Sequence, residues 1–301
     1  MPAMNVRIRA AYLACCLLWG STWMFIKLGL RDLPPLLFAG TRMLLAAAVL
    51  FPFAARTGLR GHGRRALRWM AFVGVLQIGI PYALLFAGQL WVPSALAAML
   101  FATFPVWLAL VARLLLRDHW LTRRKLLAAF LGIAGVALLQ LPALRGTTLA
   151  PMAAWGGALI LLASVVIAFA NVLVRRELGG HPPIVIAFVQ VLAGALLLLL
   201  VSAALERGRP ASFTPRATFA LVYLAVLGTA VTYLFLFWLI PRVPMSAIGA
   251  IPLLDTTVAV FLGSLVLGEA LGWPLLAGGV LVLSGAALAN ETAPETAPGS
   301  S

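Results

Sequence analysis

Residues 69–112 form an unbroken run of 44 residues without a charged side chain, and no other feature limits the fold of this chain more. A helix crosses the hydrocarbon core of a bilayer with roughly 20 apolar residues. The run is therefore too long for one crossing and must turn within itself. Val92-Pro93-Ser94 is the one obvious place for that turn, because proline cannot continue a helix ladder. Similar stretches lie at 10–26, 33–55 (interrupted by Arg42), 126–144, from just after Gly146 to 174, at 182–205, 217–241, 243–268 (broken by Asp255) and 270–290. The expectation is an all-α integral membrane protein with ten transmembrane helices and tight connections at Pro93, Pro244 and Glu269.

Composition excludes the soluble alternative. The chain is 63% hydrophobic and 10% charged, against roughly 45–50% and about 25% in soluble domains. Lys and Arg number 22 against 8 Asp and Glu, a formal balance of +14. In a membrane protein such an excess reports topology before it reports nucleic acid. With the N-terminus inside, Lys27, Arg31, Arg145, Arg207, Arg209 and Arg216 fall outside, Arg42 lies within a span, and the other 15 basic residues are cytoplasmic. That split of 15 to 6 predicts both termini in the cytoplasm of a multi-pass cytoplasmic-membrane protein, with 291–301 a disordered tail. The first apolar run reads as a span and not as a cleaved signal, since it is long enough to cross and lacks a cleavage site.

The chain also repeats itself. An offset of 151 puts Tyr82 on Tyr233, Pro93 on Pro244 and Asp118 on Glu269, and an offset of 150 puts Phe38 on Phe188. The expected units are 8–144 and 150–290, each of five helices. Five is odd, so the halves enter the membrane in opposite directions, and two inverted halves of unequal packing predict alternating access.

These residues resemble a known family. Trp19-Gly20-Ser21-Thr22-Trp23 followed by Lys27, then Pro34-Pro35 and Arg42, is similar to the opening of an EamA domain of the drug/metabolite transporter superfamily. Phe104-Pro105 through Asp118 to Gly132 and Gly135 resembles its close, and Gly268-Glu269, Gly278 and Gly285 close the second copy. The resemblance implies ten helices around a central cavity, with helices five and ten peripheral, and transport of small metabolites, export before uptake. Two positions depart from it: many members carry Glu where this chain has Asp118, and an acid followed by Pro where Asp255 is followed by Thr256.

Charges inside a bilayer are expensive and call for a role. Asp255, midway along span nine, is read either as a substrate or proton-coupling site or as an acid satisfied by Thr256, Thr257 or a neighbouring helix. Arg42 either snorkels to the outer interface or binds a substrate carboxylate or Asp255. Trp19 with Trp23, Tyr82 with Gln89, Ser164 with Asn171 and Thr229 with Tyr233 share helix faces. Of these, Trp19, Trp23, Tyr82, Asn171 and Tyr233 are candidate cavity residues, and ordinary packing is the other reading. Ala128 with Gly132 and Gly285 with Ala289 permit close helix contact. Gly249 with Pro252 is a candidate hinge.

No cofactor is expected: His62, His119 and His181 have no partners at ligand spacing, and Cys15-Cys16 reads as two small apolar side chains. The expected partners are a small-molecule substrate and the lipid bilayer, not nucleic acid, with proton coupling and the choice of monomer or homodimer open. A secondary transporter is the leading class. A channel or structural membrane protein is the alternative, and an integral membrane enzyme stands further off, because convergent acids, bases, a metal site and a phosphate loop are all missing from the sequence.

Overall fold

The computed structural model describes residues 6–116, 123–144, 150–178, 180–239, 242 and 245–290, and among them every regular element is helical. In order these are α1 (Val6–Gly29), α2 (Pro35–Arg56), α3 (Arg64–Gly74), α4 (Ile80–Gly88), α5 (Ser94–Phe101), α6 (Phe104–Leu116) and α7 (Arg123–Leu144), then α8 (Ala150–Glu177), α9 (Pro183–Leu205), α10 (Pro215–Ala225), α11 (Thr232–Leu239), α12 (Met245–Leu267) and α13 (Trp273–Asn290). Asp118, His119, Arg145, Pro244 and the tail 291–301 lie outside the described residues.

Among the described residues, six helical stretches are long and apolar enough to cross a membrane: Val6–Gly29, Pro35–Arg56, Arg64–Gly88, Pro151–Val174, Pro183–Leu205 and Pro215–Leu236. They coincide with expected spans one, two, three, six, seven and eight. The remaining four expected spans fall on the shorter apolar helices Ser94–Leu108, Phe130–Leu139, Leu254–Leu267 and Trp273–Leu288. Large side chains such as Leu114, Phe130, Leu200 and Phe261 face outward, as a lipid-facing surface requires.

Span four departs from a single helix. Pro105 has no N–H for the carbonyl of Phe101 and would clash with it, so the ladder breaks at Ala102-Thr103 and restarts as α6. Thr103 stitches the break: its hydroxyl donates to the Leu100 carbonyl at 2.7 Å and accepts from Trp107 Nε1 at 3.0 Å.

Spans three and eight each contain a π-helical turn, Val75–Gly79 and Val226–Val231. Their first residues are 151 apart, the spacing that aligns Tyr82 with Tyr233. Pro81 explains the first, since a proline must shed the bond to its i−4 carbonyl. Its counterpart at the same offset is Thr232, whose hydroxyl donates to the i−5 carbonyl of Leu227 at 2.6 Å, while Thr229 does the same to Leu224 at 2.9 Å. Different residues thus widen the same turn in both halves.

Glycines set the closest helix crossings. A Cβ on Gly88 would lie 2.7 Å from the Gly156 carbonyl, joining α4 to α8, and one on Gly285 would lie 2.7 Å from the Ala128 carbonyl, joining α13 to α7. The small faces of Ala128, Gly132 and Gly285 are therefore spent inside the chain.

One end of the bundle is tied by carboxylates. α2 and α5 start after Pro34 and Pro93, which offer no capping side chain. Glu206, 7% exposed, supplies α2: it accepts from Leu36 N at 2.9 Å and Leu37 N at 2.8 Å, held by the Ser202 hydroxyl. Glu269 supplies α5, accepting from Ser94 N at 2.7 Å, Ser94 Oγ at 2.9 Å and Ala95 N at 2.9 Å. Orphan N–H groups and the positive helix end are both satisfied by each acid. Asp32 completes this end, taking Arg216 in a fork, Nη2 to Oδ1 at 2.8 Å and Nε to Oδ2 at 3.1 Å, and the Thr214 hydroxyl at 2.7 Å. Hydrogen bonds from Arg216, then from Thr214, hold its carboxyl below the usual carboxylate range, so this contact is complete at neutral pH and opens only as the pH falls below that range. All three acids join residues before 145 to residues after 150. At the opposite end the halves meet differently, through the rings of His62 and His181 at 5.0 Å.

Candidate functional site

α1, α2, α4 and the α10–α11 helix bring an unusual group together. Arg42, two turns into α2, is 2% exposed. It does not snorkel, because its side chain turns across the bundle: Nε donates to Thr229 Oγ1 at 3.2 Å and the guanidinium lies over the Tyr82 ring, 5.4 Å from the centroid. The π-helical turn is what offers Thr229. Widening the helix there rotates Thr229 toward α2 and places Gly228 beside the guanidinium. A Cβ on Gly228 would lie 2.8 Å from Thr22 Cγ2 and 3.7 Å from Arg42 Nη2. Tyr233, one turn on, meets Trp19 edge to face at 6.3 Å. Arg42, Tyr82, Tyr233 and Trp19 thus line one locus between the halves.

Other expected members go elsewhere. Trp23 shares a helix face with Trp19 but is buried against Phe101 at 5.5 Å, and its carbonyl accepts from Gln89 Nε2 at 3.3 Å. Gln89 therefore belongs to the turn that leads to Pro93, not with Tyr82. Lys27 braces the same turn, donating to the carbonyls of Gln89 at 2.6 Å and Val92 at 2.8 Å. Asn171 and Ser164 spend their hydrogen bonds within α8, on Ile167 and Leu161.

Asp255 lies on α12 where that helix meets α1. A Cβ on Gly20 would lie 2.6 Å from the Asp255 carbonyl and 2.5 Å from Val258 Cβ. The Asp255 carboxylate takes a 3.4 Å hydrogen bond from Thr256. Arg42 and Asp255 are not paired: the ion pairs among the described residues are Arg216 with Asp32 and Arg176 with Glu177.

Sequence reasoning gave no site role to Gly228 and Thr22, which pack together beside Arg42, nor to two further amides. Gln77 Oε1 in the first π-helical turn and Gln190 Nε2 on α9 have no hydrogen-bond partner among the described residues. The 151-residue offset could have found Gly228, since it falls on Gln77, inside the turn that Pro81 imposes. Among the described residues, no three His, Cys, Asp or Glu side chains converge to hold a metal ion.

Comparison with known proteins gives the family. The model of the EamA-like transporter family matches the chain twice, at 9–141 and 154–290. The uncharacterized transporter YoaV of Bacillus subtilis is 25% identical over 93% of this chain and 95% of its own length. The uncharacterized inner membrane transporter YedA of Escherichia coli K12 is 29% identical, covering 91% of this chain and 88% of that protein. A protein of Streptantibioticus cattleyicolor, described as a "probable terminal-alkyne amino-acid exporter", is 26% identical over 91% of this chain and 90% of its own. A crystal structure shares the fold with a TM-score of 0.60 at 20% identity, covering 95% of this chain and 98% of that one.

Proposed function

The chain belongs to the EamA-like transporter family, and from that premise we propose a secondary carrier that moves a small organic metabolite across the cytoplasmic membrane by alternating access, in the direction of export. The observation that carries this reading is the buried Arg42 of one half bonded to Thr229 of the other beside Tyr82, a polar locus where two similar halves meet. Solute sites at the interface of repeats suit a carrier, because rocking one half against the other exposes the same site to each side in turn.

The basic-residue asymmetry favours N-in and C-in orientation of ten crossings, with the carboxylate-tied end outward. In that arrangement Asp32, Glu206 and Glu269 hold the outer side shut, and their contacts part when the site opens outward. Trp19, Tyr82 and Tyr233 form the walls of the site, and an apolar, aromatic wall with few polar groups suits a small amphipathic solute. The relative described as an amino-acid exporter supports amino acids or their derivatives as the solute class. Trp23 and Asn171 act through packing, given their partners. Asp255 is the proposed proton-coupling group, being an acid in mid-helix beside α1.

Cells overproducing the chain are expected to tolerate a severalfold higher concentration of at least one toxic amino-acid analogue. That gain should vary with the acidity of the medium and lose its pH dependence in Asp255→Asn. Lowered tolerance would reverse the direction, and an unchanged pH profile in Asp255→Asn would remove the coupling role.

A further inference from the structure

Arg42 is a buried cation without a counter-ion among the described residues. Its side chain makes one hydrogen bond, from Nε to Thr229, so neither terminal nitrogen has an acceptor among the described residues. The hydroxyl and the Tyr82 face that it meets are neutral groups, and the ring face offers the attraction of a quadrupole but no full negative charge. Burial at 2% exposure makes such a charge costly unless something anionic joins it. Position 228 has no side chain, so helix backbone flanks the guanidinium there: a Cβ would stand 3.7 Å from Nη2 and 2.8 Å from Thr22 Cγ2.

We infer that Arg42 receives the carboxylate of the carried solute on its two terminal guanidinium nitrogens, beside Gly228, so that the solute class is an organic monocarboxylate or a zwitterion bearing one. The inference rests on the carrier reading for what the site is used for. Guanidinium presents two parallel N–H donors that match a carboxylate. Charge count separates carboxylate from phosphate: one arginine neutralises a carboxylate, whereas a phosphate monoester carries about −1.5 to −2 at neutral pH and would leave an uncompensated charge in the bundle. Aromatic walls at Tyr82, Tyr233 and Trp19 then take the apolar remainder of the solute. The empty site holds a bare cation and a site loaded with a monocarboxylate a neutral pair, so binding repairs a cost that the protein alone bears, while a zwitterion's ammonium must be paired by its own acceptors.

The test uses the purified full chain in proteoliposomes and pairs of solutes that differ only at the acid: L-phenylalanine, L-leucine and phenylacetate, each against its amide. Binding is read by quenching of tryptophan fluorescence and movement by exchange of labelled for unlabelled solute. At least one acid is expected to bind about tenfold to a hundredfold more tightly than its amide, the range that charge-assisted hydrogen bonds supply. Arg42→Ala should erase the difference, and Arg42→Lys, which keeps the charge but not the fork, should retain part of it. The wild-type comparison of acid with amide needs no variant to fold. Equal binding of acid and amide, discrimination that survives in Arg42→Ala, or no binding by any acid of the panel overturns the assignment. Acid-selective binding without any exchange stimulation overturns the carrier reading and leaves Arg42 in place, so the two failures are told apart.

Discussion

Glu269→Ala is expected to cost about 2–4 kcal/mol of local stability at the start of α5, a large fraction of what holds any single helix end. Three hydrogen bonds vanish together, from Ser94 N, Ser94 Oγ and Ala95 N. Pro93 has no side chain with which to replace them. The acid reaches α5 because Gly268, at φ +67°, closes α12 in the left-handed region and turns the chain back over its own end. Gly263 clears the path: a Cβ there would lie 2.5 Å from Glu269 Oε2. Glu269→Gln should recover only part of the loss, since its amide keeps one acceptor oxygen and sets a second donor against the helix N–H groups. Melting of the detergent-solubilised protein checks this, with the order wild type, then Gln, then Ala. A melting midpoint for Glu269→Ala equal to that of wild type would mean that water caps α5 equally well.

Gly20→Ala carries the second large effect, about 1–3 kcal/mol from overpacking. The new methyl group would meet the Asp255 carbonyl at 2.6 Å and Val258 Cβ at 2.5 Å. The first is backbone and cannot swing aside, so α1 and α12 must separate. Separation moves Trp19, next in the chain, away from Tyr233, and transport should fall with stability. Gly132→Ala is the control, because its Cβ would stand an ordinary 3.4 Å from Val106. It should melt within about 1 kcal/mol of wild type. If both variants behave alike, the closeness of α1 to α12 is not what the geometry implies.

Much of this was legible in the sequence, for a physical reason. Uncharged runs must be buried in lipid or protein whatever their tertiary context, so the helical class and the turn at Pro93 follow from the residues alone. The aligned tyrosines, Tyr82 and Tyr233, each follow a π-helical turn, and the two turns also start 151 residues apart, which no reading of the residues expected. Partners across the bundle were not legible. Arg42 reads equally as a snorkelling side chain until Thr229 is seen beside it, because i,i+4 spacing fixes a helix face but not what that face meets. Trp19 and Trp23 show the same limit: one face, yet one ring on Tyr233 and the other on Phe101. Glu269 reads in the sequence only as a tight connection and Glu206 carries no signal there, and only the fold brings them to the uncapped starts of α2 and α5.

Carrier and pore differ in one measurable respect. A carrier must bring its site back across the membrane, and a loaded return is faster when solute is present on the far side. Proteoliposomes preloaded with unlabelled amino acids should take up an external labelled amino-acid pool severalfold faster than empty ones, with transient accumulation above equilibrium. Uptake at one rate, whatever the vesicles contain, would contradict alternating access and make the buried Arg42 site a constriction in a channel.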